Sequence, residues 1–164
     1  MRTTREWHYT MSTNNMTTVS DAALLLENQL CFPLYACAKE VVRRYKPLLD
    51  ALDLTYTQYI TMMVLWEDRQ ISCKELGQRL HLDSGTLTPL LKRLKAKGYV
   101  ITERLPEDER VVMVTVTDKG MALHDEALTV PAQMAGCVCL EPHEAIELYR
   151  LLNKMLNAFD NDPQ

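Results

Sequence analysis

Glycine and the large aromatic residues are scarce in this chain: 164 residues include five glycines, two tryptophans and two phenylalanines. The glycines stand apart at Gly77, Gly85, Gly98, Gly120 and Gly136, so no Gly-rich loop is present to cradle a phosphate. No serine is paired with a base, and His81, His124 and His143 form no catalytic constellation, which argues against an enzyme and gives no cofactor site. Apolar runs are short, well below the roughly 20 residues of a membrane-crossing helix. The first residues lack the basic start, apolar stretch and small-residue cleavage site of a signal peptide. A cytoplasmic protein without a membrane partner is the expectation. Its five cysteines, Cys31, Cys37, Cys73, Cys137 and Cys139, are then reduced thiols open to redox or metal chemistry.

What the chain does have is a well-marked stretch from Leu82 to Val100. Leu87, Leu90, Leu91 and Leu94 recur at helical spacing and define one buried face, while Ser84, Thr86, Thr88, Lys92, Arg93 and Lys95 are left on the other. Short hydroxyls near a helix start suit base edges or phosphates, and cations further along suit the sugar-phosphate backbone. This is the pattern of a DNA-recognition helix, although a solvated charged face gives the same periodicity. Gly98 is expected to stop the helix. Pro89 requires either a start near Thr86 or a bend at Pro89. The whole chain has a net charge of −4, yet Ser84 to Arg104 holds Lys92, Arg93, Lys95, Lys97 and Arg104 against Glu103 alone. A polyanion meets that local charge, and the acidity lies elsewhere.

The neighbours sharpen the reading. Ser72 with Glu75 predicts a capping box, and Cys73, Leu76 and Leu80 continue a short helix that His81 to Asp83 separate from the next. That is the connection of a helix-turn-helix. Tyr99 to Arg104 and Val111 to Thr117 are rich in β-branched residues and bracket a charged turn, which predicts a hairpin wing. Arg110 at its tip is placed to enter a minor groove, with Asp108 holding the guanidinium. An exposed Asp108–Arg110 pair of little energetic weight fits the same residues.

Around this lobe the chain reads as helices. Residues 1–20 are polar and aperiodic, with Met11 and Met16 as possible alternative starts, and are expected to form a flexible tail. Residues 21–56 hold a stripe of Leu34, Ala38, Val41, Tyr45, Leu48 and Leu52; residues 57–117 form the winged lobe, with Met62, Met63 and Trp66 in its core. Residues 118–160 give one helix to about Ala135, kinked at Pro131, and another opened by Glu141-Pro142 with Ile146, Tyr149, Leu152, Leu156 and Phe159 on one face. The fold class is mainly α with a small β-hairpin wing (α+β): a winged helix-turn-helix dimerised through its N- and C-terminal helices. Two such lobes reach successive major grooves, roughly 34 Å apart, on double-stranded DNA with a pseudo-palindromic operator.

The helical frame, DSGTLTPLLKRL, the wing residues Asp108, Glu109 and Arg110, LCFPLYA and YKPLLDALDLTYTQY together resemble the MarR family, and within it the organic-hydroperoxide-sensing (OhrR-type) repressors. The resemblance covers about residues 21–160. It implies a homodimeric repressor whose sensing thiol is Cys31, with Tyr45 and Tyr56 reaching it from the partner subunit and Tyr35 responding to oxidation. It also implies that a second cysteine, Cys137 or Cys139, or else a small-molecule thiol, resolves the oxidised Cys31.

The chemistry of Cys31 agrees with that. A thiol attacks a peroxide as thiolate, which is favoured near a helix N-terminus and beside hydroxyl donors. Pro33 marks such a first turn. Read alone, a cysteine such as Cys31 is more often a small buried hydrophobe, a reading that the pattern of Tyr45 and Tyr56 reverses; Cys37 and Cys73 are read as structural. Cys137 and Cys139 with His124 or His143 form the one metal-like grouping, without the paired C-x₂-C spacing of structural zinc. A regulator answering a phenolic ligand, a metal sensor and a thiol peroxidase are the alternative readings.

Overall fold

The computed structural model describes residues 21–136 and 139–161, so the expected N-terminal tail with Met11 and Met16, and Cys137, lie outside the described residues. The chain divides into two compact units, Met1–Tyr59 and Ile60–Gln164.

In the first unit two short 3-10 turns, Asp21–Leu24 and Leu26–Asn28, precede helix α1, Cys31–Asp50. Cys31 is its first residue, and Pro33 falls in the first turn, where a missing N–H costs no helical bond. The apolar stripe is graded along α1: Leu34 is 39% exposed, Tyr45 and Leu48 are half-buried, and Leu52 just beyond is buried. Cys37, expected to be structural, is exposed, as are its stripe neighbours Leu34 and Ala38 at this end of α1. Helix α2, Tyr56–Asp68, begins in this unit, where Thr55 and Gln58 exchange backbone-to-side-chain bonds of 3.1 and 3.3 Å that cap its start.

In the second unit the remainder of α2 buries Thr61, Met62 and Leu65 completely, as expected of a central helix. Met63 departs from that expectation at 46% exposed, since it is the next residue round the helix from Met62 and faces away from the packed side. Strand β1 (Gln70–Ser72), helix α3 (Cys73–Leu80), helix α4 (Ser84–Ala96) and strands β2 (Val100–Leu105) and β3 (Asp108–Val116) follow, then α5 (Asp118–Ala127), α6 (Val130–Ala135) and α7 (Pro142–Asp160). The sheet is antiparallel with order β1-β3-β2. Val100 pairs with Val116 and Arg104 with Val112, and Ile71 on β1 pairs with Val114. The hairpin is therefore a three-stranded sheet, and β3 begins at Asp108 rather than Val111. The α3–α4–sheet core holds Leu76, Leu94, Val100 and Val114, each at most 1% exposed, and full burial of such a side chain stabilises by roughly 1.5–3 kcal/mol.

The capping box at α3 is present: Ser72 Oγ accepts from the Glu75 amide at 3.2 Å, and the Glu75 carboxylate accepts from the Ser72 amide at 3.3 Å. His81 ends α3 in the left-handed region at φ 50°, which turns the chain into α4. The expected single helix from Asp118 to Ala135 is two helices. The chain leaves the α5 path at Leu128 and Thr129, and Pro131 becomes the second residue of α6, because an interior proline would remove a helical N–H and clash with the preceding turn.

Candidate nucleic-acid interface and thiol site

Helix α4 is set by its N-cap. The Asp83 carboxylate accepts from the Thr86 amide at 2.8 Å and from the Thr86 hydroxyl at 3.0 Å. These bonds, the amide first, hold the Asp83 carboxyl below the usual carboxylate range. Thr86, read from sequence as a free hydroxyl, thus gives its proton to the cap. Pro89 neither starts nor ends the helix, which runs unbroken from Ser84 to Ala96. Leu87, Leu90, Leu91 and Leu94 are all buried, and Ser84, Thr88, Lys92 and Arg93 are exposed on the opposite face. Gly98 follows at φ 77°, a conformation that glycine adopts without strain.

The wing is fastened to this helix. Lys95 Nζ donates to Thr102 Oγ1 on β2 at 3.2 Å, so this cation braces the hairpin against α4. Arg104 donates across the hairpin to the Glu109 carbonyl. Asp108 accepts from the backbone N–H of Arg110 at 3.0 Å, which corrects the expectation that it grips the guanidinium: the carboxylate shapes the strand start from which Arg110 projects. A cleft of about 940 Å³ between α3, α4 and β3 is lined by Ser84, Thr88 and Arg110, with Cys73, Lys74 and Asp160 also on its wall. Three of the predicted contact residues share one concavity. Lys92 and Arg93 lie further along α4. Asp83 and Thr102 were not singled out from sequence, and Arg104 was read only as one cation of the local patch; the Asp-x-x-Thr spacing at a helix start was a readable sign of the first.

The thiol site is less closed. Cys31 is exposed, and Tyr35, one turn on, is 63% exposed. Tyr45 packs against Tyr56 with ring centroids 4.9 Å apart, and Tyr59 adds a third ring 5.9 Å from Tyr45. Burial, and then the Tyr56 phenol, push the Tyr45 hydroxyl above the usual phenol range, so it stays an O–H donor. Cys31 and Tyr45 are separated by fourteen positions of one helix, about 21 Å of axial rise at 1.5 Å per residue. The structure therefore brings Tyr45 and Tyr56 together and leaves Cys31 with Tyr35 at the far end of α1. Cys139 is exposed in the second unit, while Cys73 is half-buried and burial pushes its thiol up. Among the described residues no three His, Cys, Asp or Glu side chains converge as a metal site, and no helix is long and apolar enough to cross a membrane.

A capped, cation-bearing helix following a short helix and braced to a β wing defines a winged helix-turn-helix regulator. The family model "Transcriptional regulator SarA/Rot" matches residues 43–127, just over half of the chain. The organic hydroperoxide resistance transcriptional regulator of Bacillus subtilis is 47% identical over 111 residues, 68% of this chain and 76% of that protein. The structure of reduced AbfR bound to DNA is similar with a TM-score of 0.70 and 32% identity, over 83% of this chain and 95% of that one; AbfR of Staphylococcus epidermidis has also been seen overoxidised on DNA and in a disulfide form. The fold matches that of MarR with a TM-score of 0.60 at 23% identity, over 78% of this chain and 97% of that one. The chain belongs to the MarR-family transcriptional regulators, carries their SarA/Rot-type domain, and groups with the organic hydroperoxide (OhrR-type) regulators.

Proposed function

We propose that this regulator is a homodimeric repressor that holds a pseudo-palindromic operator in its reduced form and releases it when an organic hydroperoxide oxidises Cys31. The carrying observation is the distance along α1. Cys31 stands exposed in the first helical turn, and the paired phenols of Tyr45 and Tyr56 lie about 21 Å away on the same subunit, out of reach. A partner α1 crossing in the opposite sense brings its phenols to this thiol. The exposed apolar face of α7, with Ile146 at 71%, Tyr149 at 72% and Phe159 at 67%, supports such a dimer.

Chemically, the Cys31 thiolate attacks the terminal peroxide oxygen, an S–O bond forms as the O–O bond breaks, and the alkoxide leaves as alcohol after taking a proton. The thiolate of Cys137, of Cys139 or of a small-molecule thiol then attacks the sulfenic sulfur, forming a disulfide and releasing water. The AbfR series favours the disulfide as the releasing form, since the overoxidised protein was captured on DNA. On the DNA, Ser84 and Thr88 would meet base edges, Lys92 and Arg93 the phosphates, and Arg110 a minor groove, with Lys95, Thr86 and Asp108 holding the frame.

The test is binding to promoter DNA by the wild type and Cys31→Ser, before and after one equivalent of cumene hydroperoxide, with non-reducing gels alongside. Wild type should lose binding and Cys31→Ser keep it; Cys137→Ser or Cys139→Ser should abolish a dimer-sized band if that residue resolves the switch. If both proteins stay bound, oxidation is not the signal, and induction by a phenolic ligand becomes the reading to pursue.

A further inference from the structure

We infer that Tyr59 is a positioning residue of the thiol sensor: its ring fixes the place of Tyr45 and so sets how fast the partner's Cys31 reacts with a hydroperoxide. The inference rests on the dimeric sensing proposed above and adds a residue to it. Tyr56 and Tyr59 are three apart on α2 and so share a face, and the Tyr45 ring of α1 lies against both, at 4.9 Å and 52° to the first and 5.9 Å and 39° to the second. The three rings differ in depth. Tyr45 and Tyr56 are half-buried, whereas Tyr59 is 3% exposed. Tyr59 is therefore the inner ring of the cluster and the other two form its accessible side. Offset and tilted ring pairs at these separations favour particular mutual orientations, so an immobile inner ring restricts where the Tyr45 ring sits.

That restriction matters chemically. A phenol assists a thiolate only when its oxygen lies at hydrogen-bond distance, and a displacement of about 1 Å removes the bond. Burial, as the first cause, holds both the Tyr59 and the Tyr45 hydroxyls above the usual phenol range, so these two stay protonated and Tyr45 remains a donor near neutral pH. Tyr59 acts through Tyr45 and does not itself touch the peroxide.

The experiment measures the second-order rate of the reduced dimer with cumene hydroperoxide as a function of pH, for the wild type, Tyr59→Phe, Tyr59→Leu, Tyr45→Phe, Tyr45→Phe/Tyr59→Leu and Cys31→Ser, together with operator affinity of each reduced protein. Tyr59→Phe, which keeps the ring, should react within about twofold of the wild type, and Tyr59→Leu about tenfold more slowly with its pH–rate midpoint moved upward, as for loss of a residue that orients a reactive one. Operator affinity should be unchanged in both, and the double variant should be no slower than Tyr45→Phe alone, because the two act on one donor. A wild-type rate and midpoint in Tyr59→Leu, or additive losses in the double variant, would overturn the role of Tyr59. If Tyr59→Leu does not fold, Tyr59→Met takes its place with the same expected values. A wild type that reacts no faster than Cys31→Ser sinks the sensing reading itself, and that outcome is read in arms that do not involve Tyr59.

Discussion

Gly120 shows how tightly single residues are specified in the winged lobe. A β-carbon there would stand 2.2 Å from the Tyr99 carbonyl oxygen and 2.8 Å from a Val116 methyl, while the Gly120 carbonyl accepts the Trp66 indole N–H at 2.9 Å. The neighbours are backbone and a β-branched side chain and cannot yield. Gly120→Ala should therefore cost about 3 kcal/mol, seen as a lowered urea midpoint with unchanged slope, and Trp66 emission should shift in the folded state. At this scale the sequence was most legible where chemistry is local: the four leucines of α4, the Ser72–Glu75 box and the turn at Gly98 are as their spacing implies. It was least legible where a contact is made by folding. Thr86 spends its hydroxyl proton on Asp83, and Tyr59 meets Tyr45 from another helix; neither contact has a signature in composition. Met63 and Cys37 are exposed because apolar character places a residue near a core without saying which neighbours arrive to cover it.

Among the elements, α4 and the wing invite a direct test of their division of labour. Lys92→Ala and Arg93→Ala should each weaken binding about equally across DNA sequences and reduce the slope of log affinity against log salt by about one, which titrations between low and moderate salt would read. Lys95→Ala differs in kind, since Lys95 is already bonded to Thr102, and its loss loosens the wing against the helix. Helices α1 to α4 and α7 were legible from periodicity and caps. Strand β1 was not: three residues with one buried side chain, Ile71, present no alternation to detect, and it exists because β3 offers it a ladder. The interruption between α5 and α6 falls at Leu128 and Thr129, whose backbones stay right-handed helical, because Pro131 has no N–H to continue the ladder and its ring crowds the preceding turn; the sequence announced a disturbance and not its place.

For the whole molecule, the winged fold class was readable from element order, while the number of strands and the exposure of the flanking helices were not. Exposed apolar residues on α7 bear on assembly. Ile146→Glu combined with Phe159→Glu should convert the dimer to a monomer in sedimentation and weaken operator binding by more than tenfold, since two lobes no longer act together. The reduced wild type run at the same protein concentration provides the control. The order of the sheet has one more effect. With β1 and β2 both at its margins, β2 presents six residues of strand with one side unpaired among the described residues, and Ile101 on it is 43% exposed. Such a border is a template on which another chain can add a strand and begin to aggregate, and charged side chains are what discourage it. Glu103 and Arg104 on β2, with Lys95 leaning against Thr102, thus also guard the solubility of the protein at the concentrations of a crowded cell.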